Sequence, residues 1–259
     1  MTTLKNFECD SLISTTATAI NLRPYQEDRM TNHILSNGDY LFGVFDGHGG
    51  DATADFASKH APYIFRSIQK KFPSATGTDL MEKFFHRLID KTQNFIDGCT
   101  VAFGWITDHN SKVYVGILGD SSIVLRDSND NIWDSPKHNI RTNASDAAFI
   151  ANNTHGMVYR GYIFRGLNRD FGIQLTRTIG DKMFDGILIR KPEIFSHDID
   201  ENSWILCCTD GVIDAGHPIN NIDDYVTYLQ NNNKATATDI LTLAEDNTDN
   251  ATAIVIRFA

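Results

Sequence analysis

Two amphipathic helices follow one another between strand-rich segments of this 259-residue chain, and no other pattern restricts the fold as much. In the first, apolar residues recur at helical spacing from Ala57 to Phe72, and Pro62 predicts a kink or restart. The second is predicted to begin with a capping box from Asp79 to Glu82 and to bury one apolar stripe. That stripe consists of Leu80, Phe84, Leu88 and Phe95. Because two successive helices can cover one face of a sheet, we expect an α+β layered domain with helices outside.

The rest of the chain alternates between short apolar runs and turns. Strands are predicted at 12–20, 30–35, 40–45, 99–107, 113–118, 122–126, 157–164, 174–177, 204–209 and 251–258. Shorter helices are predicted at 144–152, 222–230 and 238–244. With 41% hydrophobic residues the chain can bury one large core, so we expect a single domain over residues 1–259.

The composition is acidic, with a formal net charge of −10. This charge argues against nucleic acid and anionic membranes as partners, and it would repel phosphate esters unless cations were bound. The four cysteines (Cys9, Cys99, Cys207 and Cys208) have no metal-binding or redox spacing and fit a reducing compartment. No apolar stretch reaches transmembrane length. We expect a soluble monomer in the cytoplasm, with the nucleus as the alternative.

Acidic residues recur where predicted strands begin or end. They are Glu27, Asp28, Asp46, Asp120, Asp210, Asp214 and Asp249, the last followed by Asn250. Each one alone is more readily explained as a turn residue or a helix cap. Gathered at one edge of the sheets, however, they would offer the oxygen ligands that Mg²⁺ and Mn²⁺ prefer. Without cations, such a group of carboxylates would repel itself.

Seven segments resemble, in order, the motifs of the type 2C, metal-dependent protein phosphatases (the PPM family). They are Arg23 with Glu27-Asp28, Phe42 to Gly50, Gly119-Asp120-Ser121, Thr176 to Lys182, Pro192-Glu193, Thr209 to Asp214, and Asp249 to Thr252. The resemblance spans residues 20–258. The Asp46-Gly47-His48-Gly49-Gly50 run and the Thr209-to-Asp214 run are specific, whereas the shorter motifs are weak when taken alone. His48 resembles the residue of eukaryotic-type members.

The resemblance implies a four-layer α-β-β-α sandwich, in which two antiparallel sheets pack face to face between helix pairs. It also implies that Asp46 bridges two Mg²⁺ or Mn²⁺ ions, with the Gly47 carbonyl as a further ligand. Asp210 and Asp249 would bind one metal and Glu27 the other. A third, weaker metal would be held by Asp120 and Asp214. Supporting positions would be Asp28 and Asn250.

The implied reaction is the hydrolysis of phosphoserine and phosphothreonine in phosphorylated protein substrates. Two cations roughly 3.5–4 Å apart would hold a bridging water that attacks as hydroxide, so no phosphoenzyme forms. Arg23 would bind the phosphoryl oxygens, and His48 would protonate the leaving alkoxide. A surface turn residue or an outer water ligand is the alternative for His48. We expect Arg177 and Asp181 to be structural supports.

Three departures from the family pattern affect the expected site. The usual Ser-Gly-Ser/Thr-Thr-Ala becomes Asp97-Gly98-Cys99-Thr100-Val101, where we expect only a change of packing. Ser122 replaces a usual Arg. The usual Asp-His-x-Pro becomes Lys137-His138-Asn139-Ile140, at the start of the family's flap, which runs to Asp170 and is associated with substrate choice and third-metal affinity.

Two other functional classes remain as alternatives. A catalytically weak pseudophosphatase acting as a signalling module would be expected to lack Asp46, Asp210 or Asp249, and all three are present. A metal-dependent nuclease would also bind two cations, but the acidic chain without basic clusters disfavours it.

Overall fold

The computed structural model describes residues 5–9, 12–107, 111–166, 170–214, 221–244 and 248–258. The strands are β1 (Lys5–Cys9), β2 (Leu12–Ala19), β3 (Arg29–Ile34), β4 (Tyr40–Phe45), β5 (Gly47–His48), β6 (Gly98–Cys99), β7 (Val101–Ile106), β8 (Lys112–Leu118), β9 (Ser122–Arg126), β10 (Ile132–Asp134), β11 (Gly156–Tyr159), β12 (Tyr162–Arg165), β13 (Gly172–Ile173), β14 (Ile179–Gly180), β15 (Glu193–Asp198), β16 (Trp204–Cys208) and β17 (Ala251–Phe258). The helices are α1 (Ala52–Lys71), α2 (Gly77–Thr92), α3 (Ala144–Asn153), α4 (Ile222–Asn231) and α5 (Ala237–Leu243), with a 3₁₀ turn at Lys182–Phe184.

Two antiparallel sheets form the centre of the molecule. The first has the order β1-β2-β17-β16-β9-β10, and the second has the order β15-β8-β7-β4-β3. Two small sheets, β14-β6-β5 and β11-β12-β13, lie beside them. Each sheet offers one face to the other and one face to helices.

Three apolar clusters separate four layers. Between the α1–α2 pair and the second sheet, Phe84 stacks on Phe103 at a ring distance of 4.4 Å and meets Phe65 edge-on at 5.8 Å. Phe42 and Ile254 belong to the cluster between the sheets. The third cluster joins the first sheet to α4 and α5. The predicted α-β-β-α sandwich is therefore confirmed.

The first two helices differ from their predicted form in detail. α1 runs without a restart through Pro62, which is buried. The N-cap of α2 is Thr76, three residues earlier than the predicted cap, and Asp79 is its capping-box partner. Thr76 Oγ1 accepts from the Asp79 backbone N–H at 3.2 Å, and the predicted Asp79–Glu82 box is wrong. Phe95 lies beyond the end of α2.

The middle of the chain holds most of the errors in strand prediction. The single strand predicted at 157–164 is a hairpin of β11 and β12 that turns at Arg160 and Gly161, both with positive φ. Residues 174–177 form no strand beyond a bridge between Leu175 and Asn139. Edge strand β15 was not predicted. Most of its side chains are only partly buried, so its sequence lacks a clear alternation of apolar and polar residues.

The connections place seven strand ends at one edge of the sandwich. β4, β8 and β16 end where their antiparallel neighbours β3, β7, β9 and β17 begin, as the pairs Phe45–Arg29, Leu118–Val101 and Cys208–Ser122 show. Residues just after the first group and just before the second therefore lie together. Among the described residues, no helix is long and apolar enough to span a membrane.

Candidate metal centre

A cleft of about 510 Å³ opens at this edge. Eight of the predicted site residues line it: Arg23, Glu27, Asp46, Gly47, His48, Asp120, Asp210 and Asp249. Asp28, Asp214 and Asn250 are not among its lining residues. Acids separated by up to 222 positions in sequence thus share one wall, as the strand ends predict.

Asp46 is fixed by the neighbouring strand. Its backbone N–H donates to Thr100 Oγ1 at 3.2 Å, and its carbonyl accepts from the Thr100 N–H at 2.9 Å. Thr100 Oγ1 also shares a hydrogen bond of 2.6 Å with Ser121 Oγ, beside Asp120. A Cβ at Gly119 would lie 2.5 Å from that of Thr100, so only glycine permits this approach. Thr100 thereby sets the separation of two cleft acids.

Asp210 follows β16 and lies against the loop that precedes β17. Thr209 and Thr252 exchange two hydrogen bonds of 3.0 Å across these strands. A Cβ at Gly211 would lie 1.8 Å from the carbonyl oxygen of Asn250, so the two loops touch backbone to backbone. This contact brings Asp210 beside Asp249.

Asn250 connects this loop to the segment that carries Glu27. Its Oδ1 accepts from the Glu27 N–H at 2.8 Å, while its Nδ2 donates to the carbonyls of Ile20 (3.1 Å) and Tyr25 (3.2 Å). The Glu27 carboxylate in turn accepts from the Gly50 N–H at 2.8 Å. Asn250 thus links the loop that carries Asp249 to the segment that carries Glu27.

Burial and mutual repulsion disfavour the ionised form of several cleft carboxyls. Burial is the main cause that raises the pKa of Asp46 and of Asp210, and neighbouring carboxylates raise both further. Burial likewise raises the pKa of Asp120, against hydrogen bonds that lower it. Behind the cleft, burial raises the pKa of Asp28 to about 7, although Thr209 Oγ1 donates to its carboxylate at 2.9 Å.

The carboxylate oxygens of Asp46 and Asp210 fit hard divalent cations, because such cations prefer oxygen ligands and would stabilise the ionised carboxylates. Yet no three Asp, Glu, His or Cys side chains in the described ranges are grouped tightly enough to form a ready metal cage. Some of the acids are instead bound by other side chains of the protein. Arg23 pairs with Asp249 at 2.6 Å, for example; burial lowers the pKa of Arg23, but Asp249 outweighs this and raises it.

His48 is held by an acid that sequence analysis assigned to structural support. Its Nε2 lies 2.8 Å from Asp181 Oδ2, which also accepts from Thr178 Oγ1 at 2.6 Å. Arg190 fixes this turn by donating to the carbonyls of Thr178 and Gly180 at 2.6 Å each. The small β14-β6-β5 sheet brings His48, at the end of β5, close to Asp181, which follows β14. His48 and Asp181 are 133 positions apart, so the Thr178-to-Asp181 motif was the sole signal in the sequence.

Arg177 lies outside the cleft lining and fastens the flap. Its guanidinium binds both Asp146 oxygens of α3, at 2.8 and 2.7 Å, and Glu193 at 2.9 Å. His138 Nε2 approaches the same Glu193 oxygen at 3.1 Å. Asp97 also has more than a packing role, since it accepts from the backbone N–H of Thr53 at the start of α1 at 3.0 Å.

The fold agrees with the comparisons to known proteins. The family model described as Protein phosphatase 2C matches residues 24–245. Two relatives, Probable protein phosphatase 2C 55 of Oryza sativa subsp. japonica and Probable protein phosphatase 2C 11 of Arabidopsis thaliana, are each 28% identical over 91% of this chain. These alignments cover 63% and 64% of the two proteins, so the chain spans just over three-fifths of their length.

Two solved structures share the architecture. The serine-threonine phosphatase 2C from Toxoplasma gondii has a TM-score of 0.77 at 19% identity, over 100% of this chain and 99% of that one. A C. elegans sex determining protein has a TM-score of 0.79 at 20% identity, over 97% and 66%. At these identities the likeness establishes the fold. Because the family model covers most of the sequence, the chain belongs to the protein phosphatase 2C family.

Proposed function

We propose that this chain is a metal-dependent protein serine/threonine phosphatase, a phosphoric monoester hydrolase that acts on phosphorylated proteins. The observation that carries the proposal is the meeting of Asp46, Asp210, Asp249 and Glu27 in one cleft with Arg23. Two Mg²⁺ or Mn²⁺ ions bound by these acids and the Gly47 carbonyl would supply positive charge and a water of lowered pKa.

Arg23 is the group for binding phosphate. Its side chain is 47% exposed at the cleft wall and uses one amino group on Asp249. The planar guanidinium has further donors that would bind two phosphoryl oxygens, a geometry that a lysine does not offer. Cation binding by Asp249 would release Arg23 toward the substrate.

His48 is the proton donor for the leaving serine or threonine alkoxide. It lines the cleft two residues from Asp46, and Asp181 fixes its ring from behind. An alkoxide is a poor leaving group, so a positioned acid typically contributes about 10²–10⁴-fold.

The test is hydrolysis of a phosphothreonine peptide with Mn²⁺ or Mg²⁺, with and without chelator. We expect chelator to abolish turnover, and Asp46→Ala and Asp210→Ala to lose about a hundredfold or more in kcat/KM. Asp90→Ala, on the exposed face of α2, is the matched control and should keep full activity. Turnover without metal, or full activity in both cleft variants, would reject the proposal.

The second candidate, a pseudophosphatase that signals by association, is disfavoured because each of the principal acids is present in the cleft. A folded protein that binds phosphopeptide but does not hydrolyse it under any divalent cation would favour it instead. We further propose that the protein works as a cytoplasmic monomer, without nucleic acid or membrane partners.

A further inference from the structure

Asn139 occupies one face of the Asp120 carboxylate. Its Nδ2 donates to Asp120 Oδ2 at 2.8 Å, at the wall of the same cleft. Its orientation is fixed, because Oδ1 accepts from the Arg141 backbone N–H at 3.1 Å and only the amino group can then face Asp120. The amide is thus a donor at the position where the resemblance implies a cation.

The backbone around Asn139 is held on both sides. The His138 N–H donates to the Gly119 carbonyl at 2.9 Å, and His138 Nδ1 accepts from the Gly119 N–H at 3.1 Å. On the other side, the Ile140 N–H donates to the Gln174 carbonyl at 2.7 Å. The backbone that carries Asn139 is therefore held to two neighbouring segments on either side of the residue.

A positively charged side chain, that of Lys137, lies near Asp120. The Lys137 ammonium is 10% exposed and is anchored on Asp134 Oδ1 at 2.8 Å and on the Ser135 carbonyl at 2.9 Å. From there its positive charge interacts with the Asp120 carboxylate, to which the amide of Asn139 also donates. Both residues belong to the Lys137-to-Ile140 run that departs from the family pattern, where an acid usually stands at position 137.

We propose that Asn139, supported by Lys137, replaces the third cation at Asp120, so that this protein binds two divalent cations and not three. The amide satisfies the carboxylate, and a nearby ammonium opposes a further positive charge. The inference rests on the proposed function, since it takes the two cations at Asp46 and Asp210 as bound.

The test counts bound Mn²⁺ by equilibrium dialysis of metal-free protein, for the natural chain and for Asn139→Asp. This variant keeps the acceptor for Arg141 but exchanges the donor for a second carboxylate. We expect two ions for the natural chain and three for the variant, with the third site at least about tenfold tighter, since hydrogen bonds to charged groups carry that weight. Asn139→Leu, which removes the donor without adding charge, should show a smaller gain in the same direction.

Asn131→Asp is the matched control, because Asn131 Nδ2 makes the same type of contact with Asp127 Oδ2 (3.1 Å) in an exposed turn. It should leave the count at two. Three ions in the natural chain, or two in both position-139 variants with unchanged folding by circular dichroism, would overturn the inference. If the natural chain binds no Mn²⁺ at all, the proposed function itself fails.

Discussion

The Asp181 carboxylate serves two donors with a single oxygen. His48 Nε2 and Thr178 Oγ1 both lie within 2.8 Å of Oδ2, and the residue adopts a left-handed backbone with φ +49°. Asn and Asp tolerate this conformation better than other side chains. A carboxylate is also a stronger acceptor than an amide. The left-handed backbone therefore accommodates Asp at position 181, and its carboxylate is a strong acceptor for the His48 ring.

Asp181→Asn tests this positioning role. The amide keeps the shape and the backbone preference, but it is a weaker acceptor for two donors at once. We expect kcat on an alkyl phosphate peptide to fall about tenfold, within the range for residues that orient a functional group, with KM little changed. Asp185→Asn, which meets Arg190 at 3.4 Å, is the control. An equal fall on an aryl phosphate would point to a purely structural effect.

His48→Gln tests the proton donor itself. Loss of the imidazole should slow hydrolysis of alkyl phosphates about a hundredfold, and of aryl phosphates much less, since a phenolate leaves without protonation. The measurement is the ratio of kcat for phosphothreonine peptide and p-nitrophenyl phosphate. A ratio that equals that of the natural chain would reject the acid role.

At the scale of elements, α2 depends on its cap. Thr76→Ala removes one side of the capping box and should lower the free energy of unfolding by about 1 kcal/mol, as N-cap losses do. Thr78→Ala, inside the first turn and exposed, should change it far less. Urea denaturation measures both. Equal effects would mean that the cap contributes nothing.

The flap depends on the Arg177–Asp146 pair. The two side chains are 11% and 5% exposed, and leaving one partner of a buried pair alone typically destabilises by about 3–5 kcal/mol. Arg177→Met should therefore speed amide hydrogen exchange in α3 while β16 stays protected. Arg165→Met, on β12 of the same flap and exposed, is the control. Unchanged protection in α3 would show that other contacts hold the flap.

Elements with a strongly apolar sequence, such as β4 and β17, are predicted correctly from the sequence. Sequence analysis misplaced the cap of α2 because Thr76 and Asp79 both satisfy a capping pattern. It also read 174–177 as a strand, whereas Thr176 and Arg177 bond Asp146. The convergence of the cleft acids followed from strand ends and family motifs. The Asp120–Asn139 and His48–Asp181 contacts did not, since both depend on loop conformations that no local pattern encodes.

At the scale of the molecule, the buried acids make stability depend on pH. The folded pKa of Asp28 is raised to about 7, above an unfolded value of about 3.9. Its stabilising contribution is therefore complete below pH ~4 and is lost as the pH rises through ~7. Asp28→Asn should flatten the fall in unfolding free energy between pH 5 and 7 in metal-free protein, as measured by urea titration. A slope equal to that of the natural chain would contradict the assignment.

The position of β17 has a consequence for biosynthesis. This strand, formed by residues 251–258, lies between β2 and β16 in the interior of its sheet, although it is the last of the described strands in chain order. Until it arrives, the two halves of that sheet have no shared partner, and Asp249 and Asn250 cannot close the cleft. The cleft can consequently assemble only after synthesis has passed residue 258, however early the rest of the chain folds.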